Sequence, residues 1–141
     1  ADFAVRSGLI TANNRWCGVD WTTCESTAVK GVHVLGDSTL SAPAMPKSGS
    51  MANQHAKVCA AAVVALIKGH PVNTDTMMMN TCYSFVSGDS AMHVASVHRY
   101  DPAQKTLSPV KGSGGVSNEA STAEGAYAWG WARNIWAEAL A

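Results

Sequence analysis

The sequence predicts an α/β segment followed by a small α+β unit, in which an antiparallel meander is closed by a C-terminal helix. Three observations carry this. The apolar run Val32–Leu35, stopping at Gly36-Asp37, reads as a strand buried on both faces, as in a parallel sheet. A long alanine-rich stretch from Ser48 or Ser50 to about Lys68 repeats its apolar residues at three- and four-residue steps, the period of a helix. After Pro71 the pattern changes to short strand-like segments separated by turn residues. A boundary is therefore expected near residue 72, dividing the chain into 1–72 and 73–141.

Taken in order, residues 1–30 are irregular, with a polar turn at Thr11–Asn14 and short strand candidates around Cys17–Trp21. The Ser41–Pro46 loop holds two prolines. In the helix that follows, Met51, Val58, Cys59, Ala62, Val63, Leu66 and Ile67 form the core-facing stripe. Gly69, His70 and Pro71 end it, and Lys68 near its last turn suits the macrodipole. Asn73–Met79 reads as a linker. The meander then runs through Cys82–Ser87, Ala91–Tyr100 and Lys105–Val110, with turns at Gly88-Asp89 and Asp101-Pro102. Gly112–Gly115 is a mobile or close-packed loop. Ser121-Thr-Ala-Glu124 has the capping-box pattern and opens a helix running toward Leu140.

Composition narrows the function classes. Hydrophobic residues make up 47% of the 141 and charged residues only 14%, against about a quarter in ordinary domains. Much of the outside is therefore expected to be covered by something else. Zero net charge and the lack of a basic cluster argue against nucleic acid or an anionic membrane as partner. The longest apolar run, Val58 to Ile67, has a buried-helix length and not a membrane length. The chain does not begin with Met, so a processed or partial product is expected, with any targeting signal upstream. Cys17, Cys24, Cys59 and Cys82 form no C-x-x-C pair, and Cys59 reads as a small core residue. His93 and His98 are an odd number of residues apart, so a regular strand points them to opposite faces and a metal site on them is not expected.

Four places could carry chemistry. Asp37, at a strand end after a glycine, is placed to accept hydrogen bonds from ligand hydroxyls such as those of a flavin's ribityl chain. The alternative is a local turn cap. Pro46-Lys47-Ser48-Gly49-Ser50 leads into a helix whose free amides would stabilise negative charge on the pyrimidine side of a reduced flavin; Lys47 helps or is simply solvated. Cys82 sits where a linker enters a strand, fit to be half of a redox disulfide or an inert buried thiol. The last helix sets Trp129 and Trp136 on one face and Tyr127, Trp131 and Ile135 on the other, so both sides are expected to be covered, by the chain's own core and by a cofactor region or partner.

The run GVHVLGDSTLSAPAMPKSGSMANQHAKVCAAAVVALIKG, then MNTCYS, KGSGGV and WARNIW, closely resembles the C-terminal third of the flavoprotein subunit of flavocytochrome c sulfide dehydrogenase. Gly-Asp alone is shared by all glutathione-reductase-like flavoproteins; its combination with MPKSG and NTCYS is far more specific. The resemblance implies that 1–72 is the C-terminal part of a glutathione-reductase-like FAD domain and 73–141 the family's C-terminal flavin-binding domain. It implies that Gly36-Asp37 is the second FAD-binding motif, that the 48–68 helix aims at the isoalloxazine, and that Cys82 matches one of a redox-active cysteine pair above the flavin. Trp131 matches a tryptophan between flavin and haem. The implied setting is periplasmic, with a cytochrome c subunit receiving electrons taken from sulfide. The chain departs from the complete family pattern in having no G-x-G-x-x-G, no cysteine for covalent flavin attachment and no partner for Cys82 at the family position; these belong upstream. The Ser41–Pro46 loop is also slightly longer. Two alternatives stand beside this reading: a related sulfide:quinone or disulfide oxidoreductase, and a non-catalytic module that binds a partner through its Trp-rich helix.

Overall fold

The computed structural model describes residues 2–140. Its centre is an antiparallel sheet of β1 (Met77–Phe85), β2 (Ala91–Asp101), β3 (Thr106–Pro109) and β4 (Gly115–Val116). β2 pairs with β1 along one edge and with β3 and β4 along the other, in the register Met78↔His98, Cys82↔Val94 and Tyr100↔Leu107. The expected meander is thus present. β1 starts earlier than expected, because Met77–Met79, read as linker, continues the ladder opposite Val97–Arg99. The 112–115 loop is close-packed at Gly114 alone, where a side chain would meet the Ala95 carbonyl at 2.7 Å, while Gly112 and Gly115 have open space around them.

Pleating divides the sheet residues between two faces. Met78, Asn80, His98, Tyr100 and Leu107 share one face. There Met78 and Leu107 join Trp21, Ala42, Met45 and Met51 in the main buried cluster, with Val19, Val58 and Tyr100 packed around it. Tyr83, Phe85, Ala91 and His93 share the other face, which carries α3 (Thr122–Leu140). The main cluster therefore draws on residues from both sides of position 72.

α2 spans Gly49–Ile67, as its periodicity predicts. The Ser48 hydroxyl caps it by accepting from the Met51 amide at 3.0 Å. At the other end Gly69, at φ +66°, donates to the Leu66 carbonyl while His70 donates to that of Ala65, the two bonds of a Schellman ending. The helix is buried only through its first four turns, at Met51, Cys59 and Ala62 of the stripe and at His55; Leu66 and Ile67 are exposed.

The Val32–Leu35 strand of a parallel sheet does not form. Val32 and Leu35 are more than a third exposed, and the segment makes only a short antiparallel bridge, His33 with Glu25. Among the described residues no second parallel strand lies beside it, so its apolar side chains have no sheet to be buried in. The N-terminal region is instead built from short α1 (Asp2–Arg6), turns and single bridges, Cys17 with Thr39 and Val19 with Ser26 among them.

α3 also departs from expectation. Its buried positions are Gly125 and Ala128, with Trp129, Trp131 and Trp136 at least a third exposed. A small-residue stripe lets the helix backbone approach the sheet, and the aromatics flank it: Trp129 meets Phe85 and Trp131 meets Tyr83, at centroid distances of 5.9 and 6.4 Å. Half of the capping box is realised. Ser121 Oγ accepts from the Glu124 amide, but the Ser121 amide already bonds the Ala91 carbonyl. The Glu124 carboxylate is thereby left for His93 Nδ1, at 2.8 Å, and the Ser117 hydroxyl, at 3.1 Å.

Candidate functional site

The start of α2 runs along the free edge of β1, and side chains fix that contact. The Thr81 amide, which points away from β2, donates to Ser50 Oγ at 3.1 Å. Ser48 Oγ donates to Asn80 Oδ1 at 2.5 Å while it caps the helix. The same Asn80 oxygen lies 3.5 Å from Cys82 Sγ, placed to accept the thiol proton. Asn80 is 2% exposed, so this one buried carbonyl joins the helix cap to the cysteine.

Above that junction lies a pocket of about 290 Å³ lined by Ser48, Gly49, Ser50, Thr81, Cys82, Tyr83, Phe85, Ala128, Trp131 and Ala132. Three groups expected to act together from sequence, the helix start, Cys82 and Trp131, therefore share one cavity. The first-turn amides of Gly49 and Ser50 have no protein partner among the described residues, as expected for a helix start. Gly49 has open space where a side chain would stand. Burial, followed by the nearby Glu124 and Tyr127, pushes the Tyr83 pKa up from 10, which keeps its phenol neutral at the pocket wall.

The other expected residues form a second cluster. Gly36–Ser38 is a single 3-10 turn, with Gly36 at φ +71°. A Cβ on Gly36 would stand 3.4 Å from that of Ala52, so the close approach this glycine permits is to α2. The Gly36 amide donates to His55 Nδ1 at 3.0 Å. Asp37 is exposed in this turn, and it is the backbone carbonyls of Asp37 and Thr39 that hold Lys47 Nζ, at 2.9 and 2.6 Å. The same ammonium lies 3.9 Å from the centroid of the Trp16 ring. Burial draws the Lys47 pKa down, and Asp37 opposes it. Lys47 thus ties the 36–39 turn to the loop before α2, and Pro46 is half-buried beside it. Neither Lys47 nor Asp37 lines the Cys82 pocket.

Two buried groups were given no site role from sequence. Asn80 is readable in retrospect as a polar residue in register with the core-facing Met78. His55 is 3% exposed, packs at a tilt against Trp21 with ring centroids 5.1 Å apart, and accepts from the Gly36 amide. Burial, reinforced by Lys47, pushes its pKa down to about 4, so the ring is neutral. No group of three or more His, Cys, Asp or Glu side chains among the described residues is arranged to hold a metal ion. No helix among them is long and apolar enough to cross a membrane.

Residues 74–140, the sheet and α3, match the family model described as flavocytochrome c sulphide dehydrogenase, flavin-binding. The pocket suits the group that this description names. Its apolar wall of Phe85, Ala128 and Trp131 suits a flat conjugated ring, and the unpaired amides of Gly49 and Ser50 suit that ring's electron-rich edge. Residues 74–140 are thus similar to the flavin-binding domain of flavocytochrome c sulphide dehydrogenase, which supports a flavin-dependent oxidoreductase with FAD as its cofactor.

Proposed function

We propose that this chain is the C-terminal portion of a periplasmic, FAD-dependent sulfide dehydrogenase flavoprotein with a glutathione-reductase-like FAD domain, whose electrons pass to a cytochrome c. The observation that carries the proposal is the single pocket that joins the amino end of α2, the Cys82 thiol and Trp131. The family's printed name supports the sulfide substrate and the cytochrome acceptor.

When bound, the flavin supplies a two-electron acceptor that can release its electrons singly. The chain's own residues do the rest. The Gly49 and Ser50 amides and the α2 dipole favour negative charge on the ring edge nearest them. The exposed Asp37 stands where a turn against α2 can present a carboxylate to ribityl hydroxyls, with Lys47 holding that turn in place. Asn80 orients the sulfur of Cys82. In the working enzyme Cys82 forms a disulfide with a cysteine outside this chain. Hydrosulfide attacks one sulfur of that bond, the S–S bond breaks, and a persulfide remains on one cysteine while the other leaves as thiolate. Trp131, exposed on its outer side, offers an aromatic route toward the acceptor.

In the complete flavoprotein, Cys82→Ser should abolish sulfide-dependent flavin bleaching while FAD stays bound in full amount. Undiminished bleaching in that variant would remove Cys82 from the mechanism. A quinone acceptor is the second reading, and the exposed apolar end of α3, with Trp136 and Leu140 51% and 80% exposed, is the feature that favours it. Reduction of cytochrome c but not of a quinone analogue by the sulfide-treated protein would decide for the first.

A further inference from the structure

The N-terminal region carries a second pair of sulfurs that the reaction above does not use. Cys24 is fully buried, and its thiol donates to the His55 carbonyl at 3.7 Å, one helical turn before Cys59. The Cys24 thiol therefore lies against the turn of α2 that carries Cys59, and both cysteines are free thiols in the structure. Cys59 is 8% exposed on the buried stripe of α2. Cys24 itself sits at φ +59°, a left-handed conformation that suits glycine and costs a residue with a side chain about 1 kcal/mol or more. A side chain kept in such a place is kept for what it touches, and what Cys24 touches is the turn of α2 that carries Cys59.

We propose that Cys24 and Cys59 are a disulfide site, a covalent staple between the irregular N-terminal region and α2 that is separate from the chemistry of Cys82. The reaction is an exchange with a disulfide donor, RSSR. One thiolate of the pair attacks RSSR and releases RSH; the second attacks the mixed disulfide and releases another RSH. The two cysteines are oxidised, the donor is reduced, and their two protons leave with the released thiols. Closing the bond brings the two sulfurs to about 2.05 Å, by rotation about the Cα–Cβ bonds of two side chains that meet at the same turn of α2.

The timing follows from the surroundings. In the folded chain, burial first and Cys59 second push the Cys24 pKa up to about 12, so little of the attacking thiolate exists there. The bond therefore forms while the region is still open during folding, and once closed it is shielded from reducing thiols. It fastens a segment that otherwise depends on single bridges. The backbone of Cys24 bonds Val34, and two residues later Gly36 leans on His55, so the staple also anchors the turn bearing Asp37. The proposal does not rest on the flavin reading.

The test is disulfide mapping of the intact protein, refolded with glutathione disulfide, alkylated under denaturing conditions and cut by trypsin without reduction. Cleavage after Arg15, Lys30, Lys57 and Lys68 puts Cys24 in the fragment 16–30 and Cys59 in 58–68. The expected product is those two fragments joined, lighter than their sum by two hydrogens, with fragmentation placing the bond on Cys24 and leaving Cys17 alkylated. Full alkylation of Cys24 and Cys59, or a bond from either to Cys17 or Cys82, would overturn the proposal. A stability arm is independent of the map. The refolded, oxidised protein should melt several degrees above its reduced form, and Cys59→Ala should erase that difference; an equal difference in the variant would count against the staple.

Discussion

The two halves of this chain satisfy their backbones in different ways. From Met77 to Leu140 most residues lie in a strand of the sheet or in a helix. Before α2 the chain is held by isolated bridges and by side chains that cap turns. Thr11 takes the Gly18 amide, Asp20 takes Thr22, Glu25 takes Gly31, His55 takes Gly36, and Lys47 spans two carbonyls. A ladder is cooperative and declares itself by periodicity. A region tied by individual caps depends on a few named contacts, and each can be removed alone.

The same contrast explains what could be read beforehand. The meander, α2 with its start at Ser48 or Ser50 and the Ser121 start of α3 were legible because period and turn residues carried them, whereas the gathering of Ser48–Ser50, Cys82 and Trp131 was implied only by the family resemblance. The Val32–Leu35 strand was misread because an apolar run fixes neither a partner nor a face, and here it bridges only to Glu25. The α3 aromatics were expected to be covered on both faces, whereas Gly125 and Ala128 make the closest contact; bulk in the sequence drew attention from the small residues that permit approach. The roles of Asn80, His55 and Lys47 are set by partners far away in sequence, which no local pattern reveals.

The sharpest way to break the contrast is to ask whether the halves unfold apart. Met78 is fully buried in the cluster that joins Trp21, Ala42, Met45 and Met51 to Leu107. Met78→Ala should cost about 2–5 kcal/mol and lower a single denaturation midpoint seen by both far-ultraviolet circular dichroism and Trp fluorescence. Two separated transitions would show that the cluster does not couple the halves.

Acid tests the capped region more selectively. The folded protein keeps His55 neutral with its pKa near 4, whereas the unfolded chain takes up a proton near 6.5. The unfolded state binds more protons between these values, so stability is lost as pH falls from about 6.5 toward 4, by up to about 3 kcal/mol. Urea unfolding at about pH 7 and about pH 4.5 should show this loss, and His55→Gln should flatten the slope. An unchanged slope would place the acid sensitivity elsewhere.

The ordered half yields a smaller, paired effect. A Cβ on Gly125 would collide with the Asp89 carbonyl in the β1–β2 turn, whereas one on Gly130 meets nothing. Gly125→Ala should therefore cost about 1–3 kcal/mol, and Gly130→Ala should add about 0.5–1 kcal/mol. Equal responses in thermal melts would mean that α3 does not approach the sheet through its small-residue stripe.

The central claim is that the amides at the start of α2 face the flavin in the pocket that also holds Cys82. Gly49 is the first helical residue, preceded by extended Ser48 at φ −154° and ψ 157°, a place where proline is well accommodated. Gly49→Pro deletes one N–H there and little else. Measured in the complete flavoprotein, the flavin midpoint potential should become more negative while the melting temperature holds or rises. An unaltered potential in a stably folded variant would contradict the account.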